Sequence, residues 1–330
     1  MIRPGPRNSI TDVAGIRVGN AEAPELVTGA TAVIPDRAVV AAVDVRGGGP
    51  GTRETEALAP ESTVQEVHGI ALAGGSAYGL DAAGGVMHWL RQQGRGFAIG
   101  GTVVPIVPGA IIFDLAAGTT GGRPKRWDHP PWWRLGYQAA GSAGPEFALG
   151  NAGAGLGARA GRLKGGLGTA SAVWGGFIVG ALAVANPVGS VVIPGTRCFW
   201  AWPFEMAGEL GGLAPPGAAP EPAPYDFARQ PGASTTLAVI ATDAELTRAQ
   251  AKRIALMAHD GFARAIRPVH SPLDGDTVFV LATGDRRLGD PVGDLAQLGA
   301  IAADCAARAI ARGVYEARAV AGLPAWRDLP

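Results

Sequence analysis

Residues 234–266 read STTLAVIATDAELTRAQAKRIALMAHDGFARAI. The first part, 235–242, is an unbroken run of threonines and apolar residues of strand length. Thr247 and Gln250 then stand at the spacing of a capping box, in which each side chain satisfies the other's backbone N–H at a helix start. Ile254, Met257, Ala258, Gly261 and Ala265 follow at helical spacing, so a helix is predicted to about Ile266. Upstream, 205–234 is the opposite kind of sequence. Prolines at 215, 216, 220, 222, 224 and 231 exclude helix and central strand there, because proline lacks the N–H that either needs. The chain thus passes abruptly from an irregular stretch to a strand at Ser234-Thr235-Thr236. Outward from this point, strands are predicted at 277–283, 69–75, 39–45 and 30–34. Helices are predicted at 295–316 and at 79–93, the latter closed by Gly94, with Leu80, Ala83, Gly84, Met87 and Leu90 as its apolar stripe. Strands alternating with helices make this an α/β chain.

Composition narrows the class of function. The 330 residues carry 28 basic and 28 acidic side chains. A net charge of zero argues against nucleic acid or an anionic membrane surface as partner, since phosphates are bound by an excess of positive charge. Glycine supplies 51 residues, about twice its usual share of roughly 7%. There is no Gly-X-Y period, and 47% of residues are hydrophobic, so the chain is neither collagen nor disordered. The glycines are expected where folded backbones approach closely. By length alone two domains or one large one are allowed. Cys198 and Cys305 are expected as packed thiols. The start, MIRPGPRNSI, lacks the apolar run of a signal peptide. Residues 165–196 are uncharged but broken by Gly-Gly pairs and Asn186-Pro187, so the apolar runs 177–179, 181–185 and 191–193 read as buried strands rather than a bilayer helix. A cytoplasmic protein is expected. Only three lysines occur, Lys125, Lys164 and Lys252.

Most familiar motifs are absent. Gly155-Leu156-Gly157-Ala158-Arg159-Ala160 fits a loose GxGxxA but has no acidic residue about 20 positions on, so it carries no dinucleotide site. No phosphate-binding GxxxxGK[ST] and no GxSxG elbow occurs; the nearest serine to the latter, Ser76, precedes Ala77 and Tyr78. The five histidines form no HxH or HxxxH pair, and a lone one such as His259 is expected to satisfy a local hydrogen bond. Neither a metal nor a cofactor is expected. Residues 118–137 form a predicted loop whose Trp127, Trp132 and Trp133 line a pocket, meet a second subunit, or simply pin the loop. Two constellations remain. One is Ser234-Thr235-Thr236 at the head of a strand. The other is Asp274-Gly275-Asp276 just before the strand at 277, where i and i+2 carboxylates of an extended segment point the same way. Each also has an ordinary reading, as β-propensity and as an Asp-Gly turn.

These stretches, together with NSITDVAGIRVGN, DVRGGGPGTRE, ALAGGSAYGLDAAGGV, PGAIIFDL, GNAGAGLG, RLKGGLGTAS and VANPVG, resemble the self-cleaving amidohydrolases typified by the L-aminopeptidase D-amidase/esterase. That group also holds the β-aminopeptidases and the nylon-oligomer endo-hydrolases. The resemblance runs nearly end to end and is weakest over 118–137 and 205–234. It implies a four-layer αββα sandwich of the N-terminal-nucleophile type, forming one domain over 1–330. It also implies self-cleavage at Ser234–Thr235 into chains 1–234 and 235–330 that stay together, usually as a homotetramer.

On this resemblance Thr235 is the nucleophile, and its freed α-amino group is the base. Asn186 aligns with the asparagine that holds the oxyanion. Asp274 and Asp276 align with the acidic pair of the nylon-oligomer branch, where they hold the Thr235 hydroxyl and ammonium. That branch's lysine falls on Arg162 without gaps, while Lys164 stands two residues on and is favoured here. Its tyrosine falls on Phe113, so one hydroxyl is missing. Ser234 replaces the asparagine or glycine found before the cut and is itself a minor candidate nucleophile. Phe113, Tyr78, Trp132 and Trp133 are candidate pocket residues. The implied substrates are small: short peptides or linear ω-amino-acid oligomers. Alternatives are removal of N-terminal residues, acyl transfer of the ornithine-acetyltransferase kind, and a non-catalytic binding role.

Overall fold

The computed structural model describes residues 1–119, 125–217 and 234–330. Of the proline-rich stretch 205–234, residues 218–233 therefore lie outside the described residues, as do 120–124 of the tryptophan-bearing segment.

Two sheets form the centre. The first contains β1 (Ile16–Ala23), β2 (Thr28–Pro35), β4 (Thr52–Arg53), β6 (Ile70–Ala73) and β9 (Gly109–Ile111), in the order β1-β2-β6-β9-β4. The second contains β3 (Val39–Val45), β5 (Glu66–Val67), β12 (Gly166–Trp174), β13 (Phe177–Ala185), β14 (Leu237–Ala244) and β15 (Thr277–Arg286), in the order β12-β13-β14-β15-β3-β5. Two small hairpins, β7 (Phe97–Ile99) with β8 (Thr102–Val104) and β10 (Arg159–Ala160) with β11 (Leu163–Lys164), stand outside them. Helices α1 (Asp81–Gln92) and α2 (Trp132–Gly141) cover the first sheet, and α3 (Arg248–Ala265) and α4 (Gly293–Tyr315) cover the second.

The four layers follow from the two-residue period of the strands. In β14, Leu237, Val239 and Ala241 join Phe279 and Leu281 of β15 and Val33, Ile70 and Leu72 of the first sheet in the core between the sheets. The alternate residues Ala238, Ile240, Val278 and Val280 face α3 and α4. Because β14 is buried on both faces, it reads as a continuous apolar run, as strands covered on both sides do. A third cluster, including Ala82, Val86, Leu90, Trp132 and Leu135, seats α1 and α2 on the first sheet. Some glycines sit where neighbouring helices touch. A Cβ on Gly85 of α1 would stand 1.9 Å from the carbonyl oxygen of Trp133, and one on Gly136 of α2 would stand 2.0 Å from that of Ala82. The two helices meet backbone to backbone, which only glycine permits.

Several sequence-based boundaries shift. The runs 177–179 and 181–185 are one strand, β13, with Gly180 lying against Ile10 at its middle. Residues 191–193 form only an isolated bridge, Val192 to Phe199. The helix predicted at 79–93 begins with a 3-10 turn, Ser76–Leu80, and its buried face is Ala82, Ala83, Val86 and Leu90, a stripe displaced from the predicted one. The end of the predicted loop 118–137 is helical, because α2 starts at Trp132. The capping box of Thr247 and Gln250 forms as read from the sequence. Among the described residues no helix is long and apolar enough to cross a membrane.

Candidate active site

The parallel pair β14–β15 continues one step beyond both strands. Thr277 donates its N–H to the carbonyl of Thr236 at 3.1 Å, and Gly275 donates to the carbonyl of Ser234 at 3.0 Å. This extension brings Ser234-Thr235 and Asp274-Gly275-Asp276 side by side, although about 40 residues of chain separate them. A third strand end completes the site: the N–H of Thr235 donates to the carbonyl of Asn186, just past β13, at 2.9 Å. Glycines 47–49 close the underside. The N–H of Gly49 donates to the carbonyl of Asp274 at 2.8 Å, and a Cβ on Gly47 would stand 2.3 Å from that oxygen.

The Thr235 hydroxyl donates to the carbonyl oxygen of Ser234 at 2.6 Å. That oxygen therefore accepts two hydrogen bonds, from the hydroxyl next to it and from Gly275. The glycine is required here, because a Cβ on it would lie 2.5 Å from the Thr235 hydroxyl oxygen. Neither aspartate bonds the Thr235 hydroxyl. Asp274 accepts from Val188 N–H at 3.1 Å, from Ser271 N–H at 3.0 Å and from the Ser271 hydroxyl at 2.6 Å. Asp276 accepts from Thr236 N–H at 2.7 Å and from His270 Nδ1 at 2.8 Å. Burial raises the Asp274 carboxyl above its usual range, and the neighbouring Asp276 adds to this against the donors from Ser271 and Val188.

Asn186 is held through its side-chain oxygen, which accepts from Arg159 N–H at 2.9 Å. Its Nδ2 is engaged only weakly, at 3.5 Å from the carbonyl of Phe113, a length at the edge of a useful hydrogen bond. A donor so placed is available to an oxygen that acquires negative charge. The site is shut: Ser234, Thr235, Asn186, Asp274 and Asp276 are each at most 1% exposed. The surface hollow of about 650 Å³ lined by Arg91, Gln92 and 98–103 includes none of them.

Lys164 and Arg162 part company in the fold. Arg162 is exposed on the turn between β10 and β11, while Lys164 is fully buried. The Lys164 Nζ donates to the carbonyls of Gly155 at 2.8 Å and Gly165 at 2.7 Å. Burial pulls its ammonium down to about 7, with Asp114 acting in the opposite direction. A neutral amine has two N–H groups, enough for both carbonyls. Asp114, next to Phe113, is buried with Lys125 at 3.5 Å, the Thr28 hydroxyl at 2.6 Å and Gly75 N–H at 2.9 Å.

The four aromatic candidates have different surroundings. Phe113 is half-buried and reaches Asn186 only through its backbone. Trp132 is wholly buried, donates to the Thr28 hydroxyl at 3.2 Å, and packs against Gly75. Tyr78 lies over Trp127 and Trp132, with ring centroids 5.3 and 6.2 Å away. Trp133 stacks on Tyr137 at the outer face of α1 and α2, against Gly84. Three contributors were not singled out from the sequence: Gly275 as donor, Asp114 as a carboxylate whose charge acts on Lys164, and His270 on Asp276. No spacing rule marks a histidine four residues before one aspartate and six before another, since a turn rather than a helix or strand joins them.

The chain matches the model of peptidase family S58 over residues 8–325. It is 48% identical over 346 residues to an uncharacterized aminopeptidase of Mycobacterium tuberculosis, covering 98% of each chain. It is 30% identical over 293 residues to a 6-aminohexanoate-oligomer endohydrolase of Kocuria sp., covering 83% of this chain and 74% of that one. Its structure is similar to that of the L-aminopeptidase D-Ala-esterase/amidase of Ochrobactrum anthropi, described as a variant of the Ntn hydrolase fold, with TM-score 0.65 at 20% identity over 95% of this chain and 87% of that one. Matched over nearly its whole length, the chain belongs to peptidase family S58 and is a hydrolase of the peptidase and amidohydrolase type.

Proposed function

We propose that this protein cuts its own Ser234–Thr235 bond and then uses Thr235 as an N-terminal nucleophile on small amides. One observation carries the reading. Thr235 is 1% exposed, so no external carbonyl reaches it in the uncut chain, and the carbonyl within reach of its hydroxyl is that of Ser234 at 2.6 Å. In the cut, the hydroxyl oxygen bonds to the Ser234 carbonyl carbon, the C–N bond breaks, and the hydroxyl proton passes to the departing nitrogen. Water then hydrolyses the resulting ester, freeing the Ser234 carboxylate and the Thr235 hydroxyl. Gly275 N–H supplies a fixed donor to the oxygen that becomes negative.

The new α-amino group is the base for the second reaction. Its ordinary pKa of about 7.7–8.0 leaves a useful neutral fraction near neutrality. The hydroxyl attacks a substrate carbonyl, Asn186 Nδ2 donates to the oxyanion, and an acyl-enzyme forms and is hydrolysed. The acidic pair supports linear ω-amino-acid oligomers and short peptides as substrates. A second reading, release of N-terminal residues, is favoured by the higher identity to the mycobacterial aminopeptidase. Intact mass under denaturing conditions tests the cut: two chains, 1–234 and 235–330, are expected in place of one of 33.4 kDa. A single uncut chain that hydrolyses amides overturns the mechanism. Assay of aminoacyl amides, β-dipeptides and 6-aminohexanoate oligomers separates the two substrate readings.

A further inference from the structure

The backbone of His270 sits at φ +52°. For a residue with a side chain this left-handed conformation costs roughly 1–2 kcal/mol, and such strain concentrates at functional sites. What it achieves here is a double contact. The N–H of His270, at 3.3 Å, and its Nδ1, at 2.8 Å, both meet the same oxygen of Asp276. The other oxygen of Asp276 holds the N–H of Thr236. The carboxylate is thereby clamped between His270 and the residue that follows Thr235.

A second observation is independent of the first. His270 Nε2 and His259 Nδ1 are both buried and have no hydrogen-bond partner among the described residues. Their rings meet edge to face, with centroids 4.8 Å apart. An unpaired buried polar atom typically costs about 1–3 kcal/mol, and each one calls for an explanation. Behind this pair, His259 Nε2 lies 3.1 Å from the carbonyl of Asp44 and 3.3 Å from its carboxylate. Arg46 at 2.9 Å and Lys252 at 2.6 Å hold that carboxylate from the sheet and from α3. Phe262 of α3 completes the wall at 5.7 Å. The site therefore has a built second layer, reaching from Thr236 through Asp276 and His270 to His259.

We infer that His270 is the positioning residue of this site: it fixes Asp276, and through Asp276 the backbone at Thr236, so that the Thr235 hydroxyl points at the carbonyl it attacks. The inference rests on the Thr235 reading above. Two substitutions suit its left-handed backbone. His270→Gly relieves the strain and removes the ring, and His270→Asn keeps an N–H near the place of Nδ1. Each would be compared with wild type for the fraction cut at Ser234–Thr235 over time, for kcat and KM on an aminoacyl amide, and for thermal midpoint. We expect His270→Gly to fold, to cut itself about 10- to 100-fold more slowly, and to lose a similar factor in kcat with KM within about threefold, as loss of an orienting partner does. We expect His270→Asn to recover most of both rates, and added imidazole to restore part of the His270→Gly rate. If His270→Gly cuts and turns over like wild type, or if neither asparagine nor imidazole restores what it loses, the inference is overturned while the Thr235 reading stands. A wild type that is never cut overturns that reading, and this one with it.

Discussion

The hydroxyl of Thr235 and the backbone N–H of Gly275 both donate to the carbonyl oxygen of Ser234, at 2.6 and 3.0 Å. One donor belongs to the residue after the bond and the other to a turn brought alongside by sheet pairing. The bond between Ser234 and Thr235 is thus held by two strand ends at once. Removing the first donor gives the simplest test. Thr235→Ala should remain a single chain by intact mass and show no amide hydrolysis, while Thr235→Ser, which keeps a hydroxyl, should still be cut. A cut, active Thr235→Ala would exclude the residue as nucleophile.

Gly275→Ala tests the second donor's surroundings while leaving the Thr235 side chain chemically unchanged. The added Cβ would fall 2.5 Å from the Thr235 hydroxyl oxygen and 2.7 Å from the carbonyl of Gly49. Overpacking of this kind costs about 1–3 kcal/mol. The variant should fold with a lowered thermal midpoint and accumulate as the uncut chain. Normal cutting on the wild-type timescale would show that this close approach is not needed.

Lys164 predicts a pH dependence of stability. Its folded value of about 7 lies below its ordinary 10.5 because burial disfavours the charge. Between these values the unfolded chain binds more protons than the folded one, so Lys164 makes stability rise with pH through that window. Below about 7 both states are protonated and the full penalty stands. In Lys164→Met this component is absent. Urea titrations of the two proteins from pH 6 to 10 should show wild type gaining on the variant by about 4 kcal/mol. A constant difference would mean that Lys164 is not buried as charged or neutral in the way described.

The N-terminal segment and the residues after β13 are tied to α4 through one buried ion pair. Arg308 is fully buried on Glu209, and also donates to Asn8 Oδ1 at 2.7 Å and to the carbonyl of Ser171 at 2.9 Å. Removing one partner leaves a buried charge unpaired, which typically costs about 3–5 kcal/mol. Glu209→Gln should lower stability by an amount of that order in denaturant titration, whereas replacing both residues with apolar ones should cost less. Equal losses in the single and double variants would assign the effect to packing instead.

The sequence by itself determined the elements and where their regularity breaks. Threonine and apolar residues at 235–242, the Thr247–Gln250 cap and the stripe of α3 are written in periods of a few residues, and local periodicity states which side of an element is buried. The break at Ser234-Thr235, the Asp274-Gly275-Asp276 turn and the glycine blocks were legible for the same reason. Only the tertiary structure decided what meets across the fold. The extension of the β14–β15 ladder sets Gly275 on Ser234 and Asp276 on Thr236, the register of β11 buries Lys164 and leaves Arg162 outside, and the seat of α2 on the first sheet puts Trp132 in a core. The α1 stripe was displaced because its face is chosen by glycine contacts with α2, not by its own most apolar residues. These contacts join positions far apart in the chain, and their register is fixed by packing all four layers together, which no local pattern records.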